Sequence, residues 1–443
     1  MKFGLPWHSL VIGGVVVAFG LTFATLSLQG QDTNELTAEG YITAVNPPAE
    51  FDVNGQHITT NAQTSYGILG VNHSETNSPL AAKIRIGTYV QITGTPDRHE
   101  KSLAATLVQI RDDANAKIVS FGVIVKVLSA DPEHVYQADG YSVRITSTTV
   151  NAFHGTVHSL ADVAPGIWMN CEGTRGSDGV VTATKAAFYR VKQKAGKSKN
   201  GGSEDSLEFV PPTYPSDDGK TPGKDGKVHL GLTKRSHKIP ANRALQGRIQ
   251  LVGDRIVPAY QKALPSSDPS KLNFRFFAVD APTVDTPVAT SEGLVLVPRH
   301  IAERLQNDDE LAAFIADGVA LLLQSPTASS KALAFEGVAN ALNPGFLFTG
   351  LGLLELDAAH SEAIQLEQQR WRIALSLVAD AGYDPWQAPE AWRIAMAKKP
   401  PKDSSSLKYP DESGYQLGIL NLQYQKPQGK QTEPNGTDLK TSR

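Results

Sequence analysis

The chain has 443 residues, enough for two or three domains of ordinary size. Its 42 basic and 45 acidic side chains leave a net charge of −3, so nothing in the charge balance points to nucleic acid as the main partner. Cys171 is the only cysteine, which excludes an intrachain disulfide and a cysteine-based zinc site.

Residues 1–30 read as a signal peptide or membrane anchor. Lys2 precedes an uncharged run, Leu10 to Leu28, "LVIGGVVVAFGLTFATLSL". The run is longer than a usual signal-peptide core and close to the minimum for a membrane span. No A-x-A site follows it, and no cysteine beside it supports a lipid anchor. Asp32 and Glu35 lie beyond it, which orients the chain outward. A retained anchor and a cleaved signal both fit. Either way the bulk of the chain is expected outside the cytoplasm, periplasmic or anchored to the inner membrane, with the membrane as a partner of this segment.

An internal repeat organises the next stretch, with copies at 37–112 and 118–193. "GYITAVNPPAEFDVNGQHITT" from Gly40 corresponds to "GVIVKVLSADPEHVYQADGYSVRIT" from Gly122. "IGTYVQITGT" (Ile86 to Thr95) corresponds to "PGIWMNCEGT" (Pro165 to Thr174), and "LAATLVQIR" to "VTATKAAFYR". Short alternating runs broken by Gly, Asn, Asp and Pro predict half-buried antiparallel strands. The alternation turns Val90 and Ile92 inward, with Met169 and Cys171 at the matching places. Cys171 therefore reads as a core residue. Each copy suits a small OB-like β-barrel. The pattern resembles a bacterial exported domain of unknown function that occurs in tandem. Strand aromatics are sparse (Tyr41, Tyr89, Trp168) and predict no stacking ladder, so the barrels read as structural or protein-contact modules without nucleic-acid binding.

Residues 194–242 shift to Lys, Gly, Ser, Asp and Pro, as in "KAGKSKNGGSEDS". This composition predicts a flexible linker between two separable halves. The stretch 398–443 is a polar tail, interrupted by one apolar patch, "YQLGILNLQY".

Residues 243–397 predict an α+β domain. "NFRFFAVDAP" and "SEGLVLVPRHI" read as a strand pair. Asn307 and Glu310 then form an N-x-x-E capping box for a helix with the stripe Leu311, Phe314, Ile315, Val319 and Leu322. A later helix runs from about Glu362 to Asp380 and stops at "AGYDP", where Gly382 suits the C-cap. "PWQAPEAWRIAM" starts another.

This order, with "DDELAAFIADGVA" on the first helix, resembles the zinc metallopeptidases of the HtpX and CAAX-prenyl-protease type. The resemblance implies a zincin-like fold in which H-E-x-x-H supplies two zinc histidines and a general base. It places the first histidine at Asp317, the base at Gly318 and the second histidine at Leu321. The third ligand falls at Glu367, which is retained, and the supporting A-D pair becomes Arg370 and Trp371. It also implies that Gly293, Leu294, Val295, Leu296 and Val297 form an edge strand for an extended peptide. His300 and His360 lie outside the ligand register, and His154 and His158 fall in the barrel region. Two oxygen ligands do not make a catalytic zinc site.

The sequence thus implies a multidomain chain: a membrane segment, two OB-like barrels and a zincin-like domain that has lost its chemistry. No cofactor is expected, no catalytic residue, and a peptide or protein partner in the bacterial envelope. The alternatives are an active zinc metalloendopeptidase with displaced ligands and a structural envelope protein acting through its barrels.

Overall fold

The computed structural model describes residues 35–46, 50–53, 55–76, 78–97, 101–113, 116–130, 133–190, 222–230, 235–268, 270–290, 293–324, 356–397, 409–410 and 412–424. The apolar run Leu10–Leu28 lies outside them. Among the described residues, no helix is long and apolar enough to cross a membrane.

The first repeat folds as β1 (Leu36–Asn46), β2 (Glu50–Val53), β3 (Gln56–Thr59), β4 (Ser65–Ile68), β5 (Ser74–Thr76), β6 (Tyr89–Asp97) and β7 (Ser102–Ile110). The sheet order is β3-β2-β1-β6-β7-β4-β5, and a parallel β3–β7 pairing closes it into a barrel. The second repeat supplies β8 (Lys117–Ser129), β9 (His134–Ala138), β10 (Tyr141–Ile145), β11 (Val150–His154), β12 (Trp168–Arg175) and β13 (Val181–Tyr189). Its order is β10-β9-β8-β12-β13-β11, closed by a parallel β10–β13 pairing.

The two copies share their internal devices as well as their strand order. Val90 and Ile92 are buried in one core, Met169 and Cys171 in the other. Burial pushes the Cys171 thiol up to about 12, so it stays a neutral core group. Each barrel bulges at the glycine of its G-T pair, between Thr93 and Gly94 and between Glu172 and Gly173. A Cβ on Gly94 would come 2.3 Å from the Ala104 carbonyl oxygen, and one on Gly173 would come 2.4 Å from that of Thr182. Only glycine allows that approach. Thr64 donates its hydroxyl to the Ala105 carbonyl at 2.8 Å, and Thr149 donates likewise to Ala183 at 2.8 Å.

The C-terminal region is mainly helical. Helix α1 (Arg243–Ile256) and the short α2 (Ala259–Ala263) precede a small sheet of β16 (Arg275–Val279), β17 (Val288–Ala289) and β18 (Leu294–Pro298). Then come α3 (Arg299–Ala302), α4 (Asp308–Leu323), α5 (Leu356–Asp380), α6 (Ala388–Ala395) and α7 (Glu412–Gln423). The expected cap is present at α4. The Asn307 side chain accepts from the Glu310 N–H at 2.8 Å, while the Glu310 carboxylate reaches back to the Gln306 N–H at 2.6 Å. Helix α5 ends as its sequence predicts. Gly382, at φ +78°, lets Tyr383 N–H reach the Val378 carbonyl and its own N–H reach that of Ala379. That is a Schellman closure.

Three expectations change. The strand Gly293–Val297 is not an edge: β18 lies between β16, which it pairs in parallel, and β17, which it pairs antiparallel. β17 is two residues long, too short to leave a strand pattern in sequence. The end of the predicted linker is also structured. β14 (Lys227–Leu230) and β15 (Arg235–Lys238) form a hairpin, and Val228 and Leu230 bury against Val279, Leu294 and Leu296.

Nor are the halves separate, since Val123 and Val125 of the second barrel join the core of the C-terminal helices. The tail's apolar patch becomes α7, which lies against β1. Cβ atoms on Gly414 and Gly418 would meet Tyr41, and Asn421 donates to the Ile86 carbonyl at 2.9 Å.

Candidate functional site

Helices α4 and α5 pack along one another and carry the positions that the resemblance singles out. Asp317, only 4 % exposed, projects from α4 onto α5. There it meets Arg370, whose Nε donates to the Asp317 carboxylate at 2.9 Å. Three residues before Arg370, on the same face of α5, stands Glu367, whose Oε1 lies 3.5 Å from the other arm of the guanidinium. The two acidic side chains that stand at ligand positions of the resemblance, Asp317 and Glu367, are thus brought together, and the cation between them is an arginine side chain. Asp317 and Arg370 are both buried, whereas Glu367 is half-buried. A planar guanidinium suits this bridge because its fork can serve two carboxylates at once.

The remaining positions explain themselves by packing. Gly318 faces the small sheet: a Cβ there would come 2.7 Å from Val295 Cγ1 and 3.1 Å from Pro287 Cβ. Glycine therefore lets α4 settle onto β17 and β18, which accounts for an interior glycine that would otherwise cost about 1 kcal/mol. A glutamate at 318 has no room unless the sheet shifts. Leu321 is half-buried one turn beyond Asp317. Trp371 is buried against Tyr415 of α7, with ring centroids 6.0 Å apart.

The histidines set aside in sequence stay apart. His300 lies 3.4 Å from Asp285 at the surface, and His154 stacks on Tyr189 with centroids 4.6 Å apart. His158 is exposed, and the side chain of His360 lies outside the described residues. Among the described residues, no three His, Cys, Asp or Glu side chains gather as a metal site.

The residues after Arg370 do something the sequence did not suggest. Arg372 reaches into the second barrel and binds Asp139 through both carboxylate oxygens, at 3.1 and 3.0 Å. Both residues are buried. Ser120 donates to the same carboxylate, and Arg372 also donates to the Tyr415 hydroxyl at 2.8 Å. Burial pushes the Asp139 carboxyl above its ordinary range, and Arg372 pulls it part of the way back. Asp139 sits at φ +54°, and at Gly140 a Cβ would collide with the Arg372 backbone at 2.3 Å. One turn of α5, from Gln369 to Arg372, thereby touches the Phe121 carbonyl, Asp317, Tyr415 and Asp139 in succession.

The aromatics are also closer together than their spacing suggested. Phe121 stacks on Trp168 at 5.4 Å and meets Tyr189 at 6.3 Å, and Tyr189 stacks on His154. The sequence showed no such row because its members come from four different strands. The rings lie against one another, and on the same strand as Tyr189 the Lys185 ammonium pairs with Glu172 at 3.3 Å.

Residues 39–109, the first barrel, match a family model described as a domain of unknown function, DUF5666. A comparison with curated proteins finds no match.

Proposed function

We propose that this chain is an exported, membrane-tethered binding or scaffold protein of the bacterial envelope, built on a metallopeptidase-like domain that no longer performs catalysis. The observation that carries the reading is the Arg370 guanidinium between Asp317 and Glu367. A cation fixed at that point repels a second one, and it already engages Asp317 Oδ1 and Glu367 Oε1. Gly318 supports the same reading. The position for the general base is pressed against Val295, with no space for a carboxylate.

The order of α4 after β18, with Glu367 facing it from α5, supports the zincin-like reading of the domain. The barrel closure supports the OB-like reading. The first, second, third, fifth and fourth main strands follow one another around each barrel, joined by a parallel third-to-fifth pairing. Export rests on Lys2, the apolar run and the acids after it. With β18 paired on both sides, peptide capture along Gly293–Val297 drops out of the proposal.

Peptidase assays test the catalytic half. The full chain, supplied with zinc, should cleave unfolded casein no faster than a no-protein blank. General-base catalysis alone is worth roughly 10²–10⁴ in rate. Chelator-sensitive cleavage that disappears in Glu367→Gln would restore the active-enzyme alternative.

A further inference from the structure

Where α4 meets α5, the buried Asp317 has its arginine, and where α5 meets the second barrel, Arg372 has its carboxylate. The seating of α7 is different. Ser413 and Gln416 are 0 % and 2 % exposed, and among the described residues the Ser413 hydroxyl and the Gln416 Oε1 have no hydrogen-bond partner. On α5, Trp371 is 6 % exposed beside Tyr415, and its indole N–H has no acceptor either. A buried donor or acceptor without a partner gives up its water and gains nothing in exchange. With α7 undocked, all three groups would be hydrated.

Other contacts hold α7 down. Tyr415, Ile419 and Leu420 bury in the helical core, Arg372 donates to the Tyr415 hydroxyl, and Asn421 donates to the Ile86 carbonyl. Toward the first barrel the approach is backbone on backbone. A Cβ on Gly418 would come 2.9 Å from the Gly87 carbonyl oxygen, and one on Gly87, at φ +87°, would come 2.6 Å from the Leu417 carbonyl carbon. Apolar burial thus favours docking, while the unmatched polar groups on α7 and on the α5 face beneath it oppose docking. A segment balanced in this way belongs to the low-stability end of a fold, where local opening precedes global unfolding.

We propose that α7 is a releasable strap, which undocks as a unit while the barrels and the α4–α5 pair stay folded. Its release uncovers Tyr41 of the first barrel and Trp371 and Arg372 of α5, the residues that Gly414 and Tyr415 now cover. Access to that surface is then set by the docking equilibrium of one helix.

Hydrogen exchange on the full chain tests this. The amides of Tyr415 to Leu420 should exchange at one common rate, at least tenfold faster than those of Trp371 to Val378 on α5. Gln416→Met keeps the length and helix propensity of the side chain and removes its unmatched carbonyl. It should slow exchange throughout α7 at least fivefold and leave α5 and the barrels unchanged. Ser413→Ala should act in the same direction. Exchange of α7 at the rate of α5 would overturn the proposal, because the two would then open together. So would a gradient rising toward Gln423, which is fraying from one end. Exchange in α7 that Gln416→Met leaves unchanged or speeds up would also overturn it, by showing that the Gln416 carbonyl is satisfied when α7 is docked.

Discussion

Apart from β5, the two barrels carry the same strand order, and they share the same bulge and the same buried threonine, yet they are held in different ways. The first meets α7 through close-packed glycines and Tyr41, with a side-chain hydrogen bond from Asn421 to the Ile86 carbonyl. The second is fixed to α5 by the buried pair of Asp139 and Arg372. What the barrel needs in order to close is common to the two copies. Their surfaces differ according to what each copy touches.

Breaking the buried pair should give the largest effect. Arg372→Met leaves Asp139 uncompensated inside the protein and should cost about 3–5 kcal/mol in denaturant unfolding. The double variant Asp139→Asn/Arg372→Met should recover most of that loss, because asparagine tolerates the positive φ and no charge stays buried. A double variant as weak as the single would mean that Arg372 acts mainly through Tyr415. The pair also sets a pH slope. A carboxyl raised by burial binds its proton more tightly when folded. Its stabilising contribution is full below about pH 4, the unfolded value, and is lost as pH rises through the folded value. Wild type should therefore lose stability toward neutral pH relative to the double variant. Equal slopes would show that Arg372 holds the carboxyl at its ordinary value.

The shared features sharpen the comparison from the other side. Gly94→Ala and Gly173→Ala each force a methyl group onto a carbonyl, and each should cost about 1–3 kcal/mol. If only one of them destabilises, the two bulges are not equivalent. Thr64→Val and Thr149→Val remove the buried hydroxyl from the two barrels in turn, and each should cost about 1 kcal/mol. Their near equality, measured by thermal unfolding, is the expected mark of a duplicated core.

Local features were legible in the sequence. The repeat gave both barrels, the alternation gave Val90, Ile92, Met169 and Cys171 as core, and Asn307 and Gly382 gave the ends of two helices. What escaped was non-local. Asp139 and Arg372 are separated by 233 residues and leave no local pattern. β17 is too short to show an alternation, so β18 passed for an edge. The β14–β15 hairpin was hidden by the lysines and glycines around Val228 and Leu230. At the candidate site each degenerate position could be named from the resemblance. That Arg370 would bridge Asp317 and Glu367 depended on how α5 rotates against α4, which the sequence did not define.

Zinc stoichiometry is the most direct test of that bridge. The full chain is equilibrated with zinc, desalted and measured by elemental analysis beside Asp317→Asn and Glu367→Gln. If Arg370 holds the metal's place, wild type and both variants should carry the same zinc, with no bound ion traceable to these carboxylates. One zinc per chain in wild type, lost in both variants, would contradict the account.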